Sequence, residues 1–181
     1  RSNQRSIVMS LEPTAANQRL VIALGDPAGP GTDVTLKALA ESACPSEMSP
    51  LLVGCRRSLE ITYEQLSRRG APPLANPDRL EIDDMPLAEP VKPGEPSPAG
   101  GAASFQWLTR AASHALEGRA RALVTAPIAK HIWHAAGHSY PGQTERLAEL
   151  GGWAEASMLF TAVSPHTGWR LNTLLATTHI S

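Results

Sequence analysis

Leu24-Gly25-Asp26-Pro27-Ala28-Gly29-Pro30-Gly31 is the stretch on which the fold turns. Ahead of it, Arg19 to Leu24 is an apolar run of strand length. Behind it, Thr32 to Ser42 places Val34, Leu36, Ala38 and Leu39 at helical apolar positions and leaves Lys37 and Glu41 for solvent. A strand, a glycine-rich turn and a helix in that order open an α/β unit. Gly29 and Gly31 permit close backbone approach or a positive φ. The helix that follows offers unpaired N–H groups to an anion. The spacing is not the G-x-G-x-x-G dinucleotide fingerprint, and the Lys-Ser/Thr pair of a P-loop is missing. Read locally, the segment is either a ligand cradle or a plain structural turn.

The alternation continues outward from this unit. Leu51 to Val53 reads as a second strand, and Ser58 to Arg68 as a helix carrying Leu59, Tyr63 and Leu66. Leu80 to Ile82 reads as a third strand. Asp83 to Gly101 is rich in Pro, Gly and acidic residues and reads as a long surface loop. A helix over Ala102 to Glu117 follows, with Phe105, Leu108, Ala112 and Leu116 as its buried stripe. Arg121 to Val124 is a strand ending at Thr125. Pro127 suits the first turn of a short helix over Ile128 to Ala136. Gly142-Gln143-Thr144-Glu145 opens another helix, through Leu150. Ser157 to Val163 and Trp169 to Ala176 are apolar strands separated by Ser164 to Gly168, a spacing that suits a hairpin. The reading is an α/β fold, a mixed sheet flanked by helices. Residues 1–18 form a loose arm, and 19–181 form a partial α/β domain.

Composition excludes several classes. Net charge is −1, from 16 Lys+Arg against 17 Asp+Glu, so the basic excess of a nucleic-acid binder is missing. No run approaches the ~18 apolar residues that a membrane helix needs. Only Cys44 and Cys55 are present, which argues against a disulfide scaffold and for a reducing, cytoplasmic setting. No Gly-x-Ser-x-Gly elbow, EF-hand loop or Cys-x-x-Cys pair appears.

Open α/β sheets hold ligands beyond the carboxyl ends of their strands. Asp26, Thr125 and His179 each follow an inferred strand and would share a cleft if those strands run parallel. Lys130, in Thr125-Ala126-Pro127-Ile128-Ala129-Lys130, is a compact charge suited to phosphate binding or proton transfer, or simply a solvated helix lysine. Gln143 and Thr144 can hydrogen-bond a substrate, while Glu145 suits a positive helix end. His131, His134 and His138 have helical metal-stripe spacing, but Gly137 interrupts the helix. His114 reads as a surface helix residue, and His166 as a loop residue.

Four of these segments, in order and spacing, resemble the 4-hydroxythreonine-4-phosphate dehydrogenase family. They are Leu24 to Gly31, Ala122 to Lys130, Gly142 to Glu145, and Leu175-Ala176-Thr177-Thr178-His179. The resemblance runs from about Arg19 to Ile180. It implies a fold similar to isocitrate and isopropylmalate dehydrogenases, incomplete at the C-terminus. It further implies NAD or NADP as cofactor, a divalent metal (Zn, Mg or Co), a phosphorylated small-molecule substrate and a homodimer in the complete enzyme. The implied reaction oxidises the C3 hydroxyl of 4-phosphooxy-L-threonine, and the β-keto acid then loses CO₂ to give 3-amino-2-oxopropyl phosphate.

By the same resemblance His179 is one of three metal-binding histidines, the other two lying beyond Ser181. Thr144 is a substrate contact, and Gln143 stands where many members have histidine. Pro30 replaces a common Ile. Asp26, Gly29, Gly31 and Thr125 line the cofactor cleft, and Lys130 is a candidate catalytic charge. The alternatives are a related dehydrogenase for another hydroxy acid, or a non-catalytic folding or dimerisation fragment. The chain alone is expected to be inactive.

Overall fold

The computed structural model describes residues 19–40, 49–153 and 156–175. The chain divides into two compact units between Tyr140 and Pro141.

The first unit is built on four strands: β1 (Leu20–Ala23), β2 (Pro50–Gly54), β3 (Glu81–Asp84) and β4 (Ala122–Thr125). They lie in the order β3-β2-β1-β4, and every pairing is parallel. Val21, Ala23, Leu52 and Val53 are buried, as central strands covered on both faces require. Parallel neighbours need crossovers, and helices supply them: α1 (Gly31–Ala40) joins β1 to β2, and α2 (Arg56–Arg68) leads from β2 towards β3. A 3-10 turn, Pro77–Arg79, precedes β3. Helix α3 (Pro98–Leu116) carries the chain back past β2 and β1 to β4, and α4 (Lys130–Ala135) follows. Right-handed crossovers in opposite directions place α1 and α2 on one face and α3 on the other. The contacts agree, with α1 against α2, and α3 against β1, β2, β4 and α4.

Helix α3 begins earlier than the sequence suggests. Ser97 caps it by accepting a hydrogen bond from the Gly100 amide at 3.2 Å, and Pro98 fills the first turn. Gly100 and Gly101 are therefore helical rather than part of a surface loop. A Cβ on Gly101 would collide with the Ile132 carbonyl, so α3 and α4 pack backbone to backbone there. The buried stripe of α3 runs through Ser104, Trp107, Leu108, Ala111, Ala112 and His114. Leu108 and Ala112 are as expected. Phe105 is only half-buried and Leu116 is exposed, because Trp107 and the two glycines set the register. Val34, expected on the inner side of α1, is exposed too.

In the second unit, α5 (Gln143–Gly151) ends at Gly152 in the left-handed region. β5 (Leu159–Val163) and β6 (Arg170–Leu174) form the expected antiparallel hairpin, with Leu159 opposite Leu174 and Val163 opposite Arg170. This pair is a separate two-stranded sheet, so the antiparallel pairing leaves the four-stranded sheet parallel throughout.

Candidate functional site

The order β3-β2-β1-β4 creates a divergence between β1 and β4. From β1 the chain leaves towards β2, whereas β4 was reached by a crossover in the opposite sense. In open α/β sheets ligands bind beyond the carboxyl ends of the strands at such a divergence. Ala23 pairs with Thr125 at that end. Gly25 to Gly31 and Thr125 to Lys130 are thus the two loops that flank it.

Short backbone bonds fix the crest. Ala126 N–H donates to Ala23 O at 2.9 Å, and Asp26 N–H donates to Pro127 O at 3.0 Å. Gly29 N–H closes a turn onto Asp26 O at 2.9 Å. Of the glycines, Gly25 has the positive φ, +72°, and no room for a Cβ beneath the Pro127 carbonyl. Gly31 is needed for close approach, since a Cβ would strike the Leu24 carbonyl. Gly29 needs no positive φ and makes only a tight contact with Asp26.

Asp26 is 4% exposed. Its Oδ1 accepts from Ala28 N–H at 2.9 Å, so the carboxylate braces its own turn. The first turn of α3 lies beside it, and a Cβ on Gly100 would come within 3.3 Å of Oδ1. A carboxylate at a helix N-terminus is favoured by the helix dipole. Gly94 N–H donates to Ala28 O at 2.8 Å and ties the loop before α3 to the same turn. The neighbouring strand ends are organised similarly: Asp84 at the end of β3 accepts from Arg56 N–H at 2.8 Å and satisfies the start of α2.

Between α1 and β4 runs an apolar groove of about 180 Å³, with Gly31, Thr35, Thr125 and Pro127 among its walls. The structure therefore brings Asp26, Gly29, Gly31 and Thr125 to one end of one sheet. Lys130 is the first residue of α4 and is exposed. Gln143 and Thr144 open α5 in the other unit and are half-exposed. His179 and Cys44 lie outside the described residues. Cys55 is buried at the end of β2.

The remaining histidines have definite surroundings. α4 stops before Gly137, whose φ is +88°. His138 then stacks on Phe105 with ring centroids 3.7 Å apart, while His131 and His134 are exposed. No group of three or more His, Cys, Asp or Glu is gathered to hold a metal among the described residues. His166 is exposed in the hairpin loop. His114, expected on the surface, is buried and bonded to Asp83 at 2.6 Å. Sequence reading missed this pair because Asp83 looked like the start of a loop. It is instead the third residue of β3, which extends to Asp84.

Comparison with known proteins adds the family. The profile described as "Pyridoxal phosphate biosynthetic protein PdxA" matches residues 41–181. A 4-hydroxythreonine-4-phosphate dehydrogenase of Synechococcus sp. (strain RCC307) is 65% identical over 162 residues, covering 90% of this chain and 48% of that protein. A D-threonate 4-phosphate dehydrogenase of Pectobacterium atrosepticum is 36% identical over 142 residues, covering 72% of this chain and 43% of its own. The crystal structure of a 4-hydroxythreonine-4-phosphate dehydrogenase from Burkholderia phymatum superposes with a TM-score of 0.75 at 31% identity, over 91% of this chain and 51% of that one. The chain spans about half the length of the curated relatives it matches. No helix among the described residues is long and apolar enough to cross a membrane.

Proposed function

The chain belongs to the PdxA family of pyridoxal phosphate biosynthetic proteins, and from that premise we propose that it contributes the β1–β4 crevice of a 4-hydroxythreonine-4-phosphate dehydrogenase. The reaction is NAD(P)-dependent oxidation of 4-phosphooxy-L-threonine at C3, followed by loss of CO₂ to 3-amino-2-oxopropyl phosphate. The observation that carries this reading is the convergence of the two family-like loops, Gly25 to Gly31 and Thr125 to Lys130, at the divergence point of a parallel sheet.

The crest suits a nicotinamide dinucleotide through its groove and its helix start. Gly31 and Thr125 border a groove of about 180 Å³, and Gly31 opens α1, where backbone N–H groups favour phosphate. When bound, the dinucleotide supplies the hydride acceptor. Asp26 is committed to its turn by the Ala28 amide, so its task is to hold the loop shape rather than to carry protons. The Thr125 hydroxyl is available to orient a ligand, and Lys130 offers an exposed ammonium for phosphate or for a developing negative charge. Gln143 and Thr144 bring an amide and a hydroxyl for the substrate's oxygens. A divalent metal belongs to the same reading through His179. Among the described residues no group of three or more His, Cys, Asp or Glu is gathered to hold it. The enzyme is read as a cytoplasmic homodimer.

A second reading is favoured by the relative named for D-threonate 4-phosphate, which differs in substrate while sharing this half of the sequence. Gln143 lacks the imidazolium charge of a histidine, so oxyanion binding at α5 would rest on neutral donors. The test is an assay of the chain extended to the length of its relatives, with NAD or NADP and a divalent metal, on both substrates. Formation of reduced cofactor with 3-amino-2-oxopropyl phosphate from 4-phosphooxy-L-threonine is expected. Turnover of D-threonate 4-phosphate alone would select the second reading, and turnover of neither would overturn both.

A further inference from the structure

We propose that His114, held between Asp83 and Arg119, is a proton-operated latch on the turn that feeds β4. Its Nε2 lies 2.6 Å from Asp83 Oδ2, and the same oxygen accepts from Arg110 Nε at 2.7 Å. On the other side of the ring, Arg119 Nε donates to His114 Nδ1 at 3.1 Å. A guanidinium has donors only, so Nδ1 must be the acceptor, and Nε2 carries the hydrogen that is given to Asp83. The contacts therefore select the neutral Nε2–H tautomer. The His114 side chain is 10% exposed. Its main-chain carbonyl accepts from both Arg119 N–H, at 2.9 Å, and Ala120 N–H, at 3.1 Å. Ring and backbone of one residue thus hold the same turn.

The ion pairs nearest the ring in sequence and space come from β3, α3, the turn after α3 and the entry of β1. β3 contributes Asp83 and, two residues earlier, Glu81, which pairs with Arg19 at the entry of β1 at 2.7 Å. α3 contributes Arg110. Beyond its end, Glu117 pairs with Arg119 at 2.6 Å. With a neutral ring, Arg19, Arg110 and Arg119 balance Glu81, Asp83 and Glu117. A proton taken from solvent onto Nδ1 adds one positive charge and converts the acceptor into a donor. Two cationic N–H groups would then face each other across 3.1 Å. Asp83 keeps its hold on Nε2–H and is strengthened by the new charge. The ring therefore stays, and Arg119 is the group that leaves. The turn, which contains Gly118 at φ +74°, loses its side-chain anchor just ahead of β4.

The experiment is made on the 181-residue chain by NMR. Ring-nitrogen shifts of His114 report tautomer and protonation, and amide protection factors of Arg119 and Ala120 report the turn, with Val53 in β2 as an internal reference. The Nε2–H tautomer is expected for the neutral ring. On protonation the Arg119 and Ala120 protection should fall by about tenfold or more while Val53 holds, as for a local opening. In Arg119→Met the donor that opposes protonation is gone, and in His114→Gln no proton is taken up, so both should lose the pH step. An Nδ1–H tautomer, an unchanged turn in the wild type, or a step that persists in Arg119→Met would overturn the latch. If a variant loses Val53 protection and so fails to fold, the wild-type tautomer and exchange step decide alone.

Discussion

Gly25 carries two independent constraints, a backbone conformation at φ +72° and a carbonyl of Pro127 where a Cβ would sit. Gly70, just past α2, has a similar φ of +69° with nothing within 4 Å. The pair separates strain from collision. Gly70→Ala should cost about 1 kcal/mol, the left-handed penalty alone. Gly25→Ala should cost about 3 kcal/mol or more, because the Pro127 loop must also move. Urea denaturation of both variants measures the difference, and equal losses would show that the crest is softer than its geometry. The turn itself was legible from its glycines, yet the sequence pointed to Gly29 and Gly31 rather than Gly25. Only the arrival of Pro127, far along the chain, adds a collision to the positive φ of Gly25, and local spacing carries no signal of that. His114 is a second such case, since its partner Asp83 stands 31 positions earlier.

At the scale of elements, α3 is the organiser, and most of its logic lies in tertiary contacts. Trp133 of α4 is fully buried and donates its indole N–H to Ser104 Oγ at 2.8 Å. Trp107 reaches the Met85 carbonyl at 3.1 Å. Gly101→Ala would wedge α4 away from α3 and break the first of these bonds. We expect a loss of about 2–4 kcal/mol, as for an overpacked backbone contact with a polar group left unpaired. A red shift of Trp133 emission at low denaturant would report it, and unchanged emission and stability would contradict the close packing.

The α3–β3 contact carries its own pH dependence. Burial alone would raise the Asp83 carboxyl, but hydrogen bonds from His114 and Arg110, with the positive charge of Arg110, outweigh it and hold it below its ordinary 3.8. A carboxylate with a depressed folded-state value gives stability that is complete above 3.8 and is lost as pH falls through that lower value. Wild type should therefore lose stability in that acid range, and Asp83→Asn should lose less there while being weaker at neutral pH. Denaturation free energies measured from neutral to acid pH check the sign. Strand and helix existence was legible throughout from apolar periodicity. The start of α3 was not, because Pro98-Ala99-Gly100-Gly101 resembles loop composition and becomes helix only through the Ser97 cap and the approach of α4.

For the molecule as a whole, the α/β class followed from the alternation of strand and helix, but strand order did not. Nothing local in Pro98 to Leu116 says that the crossover from β3 passes two strands and ends beside β1. The order matters because it leaves β4 as an edge strand of the described sheet, with Val124 46% exposed next to the groove along α1. The second unit shows a comparable surface. All ten residues of β5 and β6 are exposed, Phe160, Leu171 and Leu174 among them, and Trp169 beside β6 is 64% exposed. An unpaired strand edge and an apolar hairpin both template association. The 181-residue chain should accordingly self-associate in a concentration-dependent way, seen as a rising weight-average mass in sedimentation. Val124→Lys places a charge on the edge of β4, and Leu174→Lys places one on the hairpin. Each should lower the association without loss of secondary structure, by about 1 kcal/mol or more per contact as for interface truncations. The two substitutions test separate surfaces, so a response to one alone assigns the contact to that unit. A chain that stays monomeric at every concentration would show that these apolar surfaces tolerate water, and that their exposure is not what limits the isolated chain.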